Sequence, residues 1–331
     1  IEKVTGGEHF ENLVPGTDKV TTVVTDTPGT DNTTTVTLTA PTEVSEGGKI
    51  TYTATLSNKA DTDVTLTLDN KQPITIKAGE TVGTVIVDAP GDDVFIDKST
   101  QTVKITGTEG GNFEKLVVAG DGATTQINDT IDKVDVVLTA TPTVGEGGNI
   151  VYTASLVDKN GAPVTNITNP LTVTLDNGQT ITIGVGQTTG TATTTAPNDA
   201  LTGHAPLTNS ITNVTGGNYE NLVADKTPVS TTVTDTVDTT NLSLSATGTV
   251  AEGGQITYTA TLTNAAGSPV TVTLSNGAVI TIDAGKTTGT VTVPAPADDV
   301  YKDAGTVQAT ITNASGGSFE NLVPSTTPAV T

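Results

Sequence analysis

Ile50, Tyr52, Ala54 and Leu56 fall on one side of a period-two pattern whose other side is Thr51, Thr53, Thr55 and Ser57. One apolar face and one polar face at that period predict a half-buried antiparallel strand. The pattern returns with Ile150, Tyr152, Ala154 and Leu156, and again with Ile256, Tyr258, Ala260 and Leu262. The next strand carries Val64, Leu66 and Leu68, matched by Val173 and Leu175, then by Val272 and Leu274. Tight turns at Asp176-Asn177-Gly178 and Ser275-Asn276-Gly277 lead into Ile181-Thr182-Ile183 and Ile280-Thr281-Ile282, a hairpin signature. A strand at 83–87, one holding Val103 and Ile105, a closing Thr-rich strand and an opening strand such as 136–139 bring each unit to about seven. Short strands of this number, with turns every 8 to 12 residues or so, read as an Ig-like β-sandwich. Helical periodicity is absent, so the predicted fold class is all-β: tandem Ig-like sandwiches in an elongated rod.

A second pattern sets the domain count. Gly110-Gly111-Asn112-Phe113-Glu114 returns as Gly216-Gly217-Asn218-Tyr219-Glu220 and Gly316-Gly317-Ser318-Phe319-Glu320, and in altered form as Gly6-Gly7-Glu8-His9-Phe10-Glu11. The closing Glu recurs at intervals of 103, 106 and 100 residues, so the repeating unit is a whole domain. Residues 1–26 then read as the end of a preceding repeat, with a strand at 20–25 expected to be disordered or to pair with another chain. Repeats follow at 27–129, 130–235 and 236–331, the last without its closing acidic joint.

Composition narrows the chemistry. Thr dominates and there is no Cys, Met or Trp, so the cores must be built of Val, Ile, Leu and Ala, and thiolate chemistry is excluded. The formal net charge is −22, from 36 acids against 14 lysines and no arginine. Such a chain repels nucleic acid and anionic lipid. No apolar run approaches the ~20 residues of a membrane span. The two histidines, His9 and His204, sit in non-repeating contexts and read as incidental. Catalytic motifs are missing, and paired acids without aromatic platforms do not make a glycosidase. The chain is expected not to be an enzyme.

The acids follow the repeat. Threading seven strands through a sandwich brings the turn after the first strand, the turn before the sixth and the chain exit to one end. In repeat 1 these hold Glu46, then Asp92, Asp93 and Asp97, then Asp129 and Asp132 at the joint. Repeat 2 supplies Glu146, Asp199, Asp235 and Asp238; repeat 3 supplies Glu252, Asp298, Asp299 and Asp303. A single acidic turn is most simply a solvated turn. A gathered set is different, because two carboxylates about 4 Å apart repel by roughly 4 kcal/mol at an effective dielectric of 20. Oxygen ligands in this number suit Ca²⁺, and the scarcity of His and Cys excludes zinc-like sites. Repeat 2 departs, with Asn198-Asp199-Ala200 for the Asp pair and Gly203-His204 for the third acid, so a weaker or differently built site is expected there. The first joint departs as well, with Asp26 and Asp31 five residues apart.

Glu-Gly-Gly, Ala-Pro-x-Asp-Asp-Val-Phe/Tyr, Gly-Gly-x-Phe/Tyr-Glu and the Asp-Thr-x-Asp joint together resemble the Ig-like extender repeats of giant type I-secreted bacterial adhesins, the RTX or Lap-type biofilm adhesins. The resemblance covers essentially the whole chain. It implies an outer-membrane-anchored surface protein in which tandem domains hold an adhesive tip away from the cell and linker calcium stiffens the rod. The partners expected are neighbouring repeats of the same chain, in a monomer that inserts in no membrane. The alternative is a carbohydrate- or surface-binding repeat that acts by avidity, presenting rows of outward Thr such as Thr257, Thr259 and Thr261.

Overall fold

The computed structural model describes residues 1–25, 32–166, 169–301 and 304–331, and every regular element among them is a β-strand. Repeat 2 shows the plan. Thr189–Thr195, Asn149–Asp158, Lys133–Ala140 and Asn221–Ala224 make a four-stranded sheet in that order. Thr180–Ile183, Leu171–Leu175 and Ile211–Gly216 make a three-stranded sheet. Thr143–Gly145, Val229–Thr234 and Leu207–Asn209 form a third, smaller group. The alternation foreseen in the sequence is realised: Ile150, Tyr152, Ala154 and Leu156 are buried against Leu171, Val173, Leu175, Ile181 and Ile183. Their neighbours Val151, Thr153 and Ser155 lie outward or at half-burial. Repeats 1 and 3 build the same core around Tyr52 and Tyr258.

Among the described residues repeats 1 and 2 each run as seven strands in ten short pieces. Three strands are split. The opening strand breaks at Pro142, which has no N–H for the ladder, so its second piece Thr143–Gly145 leaves the first sheet and pairs in parallel with Val229–Thr234. Pro41 does the same in repeat 1, where Glu43–Ser45 pairs in parallel with Ala123–Asn128. In repeat 3 Gly248 stands at this place, and no second piece forms among the described residues. The closing strand likewise breaks into Asn221–Ala224 and Val229–Thr234, and the one before it divides at Ser210.

The strand expected at 20–25 does not form. Val20, Val23 and Val24 are exposed. Its counterparts Ala123–Asn128 and Val229–Thr234 each lie between a parallel and an antiparallel partner of their own repeat, and 20–25 has neither.

The chain divides into two compact units. One is Ile1–Asp93 with Asp97–Thr130; the other is Val94–Ile96 with Ile131–Thr331, and so contains repeats 2 and 3 together.

Candidate metal centre where repeats 2 and 3 meet

Glu146 sits on the turn after Thr143–Gly145, and its side chain is fully enclosed. Gly147 at φ 68° makes the turn possible, and the Glu146 N–H donates to the Thr234 carbonyl at 3.0 Å. One carboxylate oxygen, Oε2, accepts from the Thr236 N–H at 3.0 Å. The other, Oε1, accepts from the Asp199 N–H at 3.3 Å and lies 2.5 Å from His204 Nε2. These donors, the Thr236 N–H foremost and His204 next, hold the Glu146 pKa down at about 2 against the opposing effect of burial. The same contact raises the pKa of His204, with Asp199 and Asp235 adding to it and burial opposing. His204 is therefore not incidental; it is the side chain that faces Glu146 Oε1.

From repeat 3 comes Glu320, at the end of the loop Gly316-Gly317-Ser318-Phe319-Glu320. Its Oε2 accepts from the Asp238 N–H at 2.5 Å, while its Oε1 is enclosed with no donor. Ligand oxygens of Glu146, Asp238 and Glu320 all lie within 4.8 Å of one another. The Asp238 N–H pulls the Glu320 pKa down, but burial and the facing charges of Glu146 and Asp238 outweigh it, and the net shift is upward. Acceptors that face each other without a donor must share a proton or a cation.

In repeat 1 the equivalent Glu46 is also buried, but its neighbours are acids. Burial comes first, followed by Asp97, Asp93 and Asp129, and together they push its pKa up to about 7. Glu46 Oε2 and Asp129 Oδ1 are enclosed without a hydrogen-bond partner. Asp92 accepts from the Thr130 hydroxyl.

The foreseen residues divide accordingly. Glu46, Asp93, Asp97 and Asp129 come together, as do Glu146 and Asp238. Asp235 lies with Glu146 and His204 as a second group of possible ligands, and its Oδ2 also accepts from the Gly203 N–H at 2.9 Å. Asp199 turns back on its own loop, accepting from the Leu201 N–H at 2.8 Å. Asp132 pairs with Lys159 at 3.0 Å, and its N–H donates to Glu220. In repeat 3, Glu252, Asp298 and Asp299 are exposed and join no group of three possible ligands among the described residues. Asp303 lies outside the described residues, as do Asp26 and Asp31. Glu320 was missed as a ligand, although its recurrence in the Gly-Gly loop was the available signal.

These donors suit a hard cation in two places: the enclosed oxygens around Glu46, and the Glu146, Asp238 and Glu320 trio. On the other flank of Glu146 the His204 imidazole fills the place beside Oε1. What the fold and this centre define is a tandem β-sandwich protein with acidic groups at the ends of its repeats. Residues 32–130, 132–236 and 238–331 each match the LapA domain, and the chain belongs to that family. Membership gives the repeats an adhesin-related structural role in a cell-surface or extracellular setting. No curated protein matches the chain. Among solved structures it is similar to Escherichia coli alpha-2-macroglobulin in its native conformation, at 12% identity and a TM-score of 0.23, over 88% of this chain and 30% of that one. The chain thus spans under a third of that structure's length, and a score so low says nothing more.

Proposed function

We propose that the chain is a non-catalytic spacer of a bacterial surface adhesin, whose tandem repeats are fixed into a rod by Ca²⁺ at their joints and so project a distal adhesive region for attachment and biofilm growth. The observation that carries this reading is the donorless, enclosed Oε1 of Glu320 facing Glu146 and Asp238. Glu146 comes from repeat 2, Asp238 from the joint at the start of repeat 3 and Glu320 from the Gly-Gly loop of repeat 3, so a cation held by all three ties two domains at their joint. When bound, the ion supplies charge neutralisation and crosslinking. The chain's own residues supply the preset oxygens: the Thr236 and Asp238 N–H groups aim the Glu146 and Glu320 carboxylates toward each other. A site of about 10 µM affinity in millimolar calcium adds about 2.7 kcal/mol to the joined state. The parent protein is anchored at the outer membrane in this reading.

Small-angle X-ray scattering in 2 mM Ca²⁺ and in excess EDTA tests it. The maximum dimension is expected to lengthen and sharpen with calcium. Superimposable curves would remove calcium from the reading, and a compact particle in both would remove the spacer. Glycan binding by the isolated chain would favour the avidity reading instead.

A further inference from the structure

The Gly-Gly loop of repeat 2 holds two pieces of chain at once. Its Tyr219 ring lies 5.1 Å from that of Phe95; the Ile96 N–H donates to the Asn218 carbonyl at 3.0 Å and the Glu220 N–H to the Val94 carbonyl at 3.1 Å. The Asn218 side-chain amide donates to the Ile96 carbonyl at 2.7 Å. The Glu220 carboxylate meanwhile accepts from the Asp132 N–H at the joint, at 2.7 Å. The Gly-Gly loop of repeat 3 is built alike. Phe319 meets Leu201, the Thr202 N–H donates to the Ser318 carbonyl at 2.8 Å and the Glu320 N–H to the Ala200 carbonyl at 3.2 Å. The Glu320 carboxylate accepts from the Asp238 N–H at 2.5 Å.

In both places an apolar hook, a few residues beyond the Ala-Pro of one repeat, sits on the loop of the next. The hook belongs structurally to the repeat that receives it. Phe95 is 8% exposed and lies in the core of repeat 2 with Val94 packed beside it, and neither joins the core of repeat 1. Val94–Ile96 falls in the second compact unit, although the residues on either side fall in the first. Leu201 in turn stands outside the core of repeat 2 and rests on Gly267 of repeat 3, where a Cβ would come within 3.1 Å of its Cδ1.

We infer that hook and Gly-Gly loop form a metal-independent clamp that passes stability along the chain in one direction, each repeat being completed by the hook of the repeat before it. Tandem units with such a nearest-neighbour contribution behave as a one-dimensional array; here the array has a polarity. An apolar contact, main-chain hydrogen bonds and one carboxylate on a joint N–H make the clamp. None of these requires a cation, so the inference stands or falls apart from the calcium reading.

Peptide-resolved hydrogen exchange on the full chain in EDTA tests it. Phe95→Ser, a change within the sequence of repeat 1, is expected to speed exchange about tenfold in Asn149–Asp158 and Leu171–Leu175 of repeat 2. Lys49–Leu56 and Val64–Leu68 of repeat 1 should keep the wild-type rate. Leu201→Ser should speed exchange by a similar factor in Gln255–Leu262 and Val270–Leu274 of repeat 3. Gly267→Val crowds the same seat from the other side without backbone strain, since Gly267 has no positive φ, and should match Leu201→Ser. Faster exchange in repeat 1 instead of repeat 2 on Phe95→Ser overturns the inference. So does a repeat 3 that keeps its wild-type rate in both Leu201→Ser and Gly267→Val.

Discussion

Glu46 and Glu146 hold the same place in successive repeats, yet their pKa values move in opposite directions. For Glu46, pushed up to about 7, the folded state favours the neutral acid. Its contribution is therefore full below about 4.5 and is lost as pH rises through 7. For Glu146, held near 2, the contribution is full above about 4.5 and is lost as pH falls toward 2. The raised His204 adds stability that is present below about 6.5 and lost as pH climbs through its elevated pKa. In EDTA, the melting temperature of repeat 1 should fall between pH 5 and pH 8, with Glu46→Gln removing most of the fall. Glu146→Gln should lower that of the second unit by about 5 °C at neutral pH, because its carboxylate holds several charge-assisted hydrogen bonds. His204→Ala should flatten the second unit's decline above pH 6.5. Calorimetry on the three variants decides, and a silent Glu146→Gln would mean that the buried carboxylate does not hold the joint. Glu46 and Glu146 were legible in the sequence because they recur at one offset. His204 was not, since a single histidine makes no pattern. The destination of Glu320 depends on how one repeat stacks on the next, which periodicity within a repeat does not encode.

Strands were easier to foresee than their ends. Period-two alternation identified the sandwich faces residue by residue, since Thr and apolar residues sort cleanly to opposite sides. It could not show that Pro142 would transfer the second half of the opening strand to another partner, because pairing across about 90 residues leaves no local trace. The Gly-Gly loops were legible as a motif, and the structure supplies the reason for it. Gly217 has φ 71°, and a Cβ there would lie 2.6 Å from the Tyr219 ring. Gly217→Ala should therefore both strain the backbone and push the ring off its seat, costing about 1–3 kcal/mol. Denaturant midpoints for wild type and variant provide the check; an unchanged midpoint would show that the loop adapts at no cost.

Across the molecule, 36 acids against 14 lysines leave little internal compensation, and the described ion pairs are mostly exposed. Exposed pairs contribute little, so the three apolar cores carry the stability. Because repeats 2 and 3 share one compact unit, calorimetry in EDTA should resolve two unfolding transitions, the larger belonging to the second unit, with enthalpies in rough proportion to residue number. Three equal transitions would show that the two repeats unfold independently. The parallel pairing of the first strand with the last has a mechanical meaning. Thr33–Thr39 runs alongside Lys115–Ala119, and Glu43–Ser45 alongside Ala123–Asn128, so a pull on the two ends of repeat 1 drags neighbouring strands past each other lengthwise. Every hydrogen bond in the ladder then bears the load at once instead of opening in succession. Each sandwich is thereby built to resist traction along the chain.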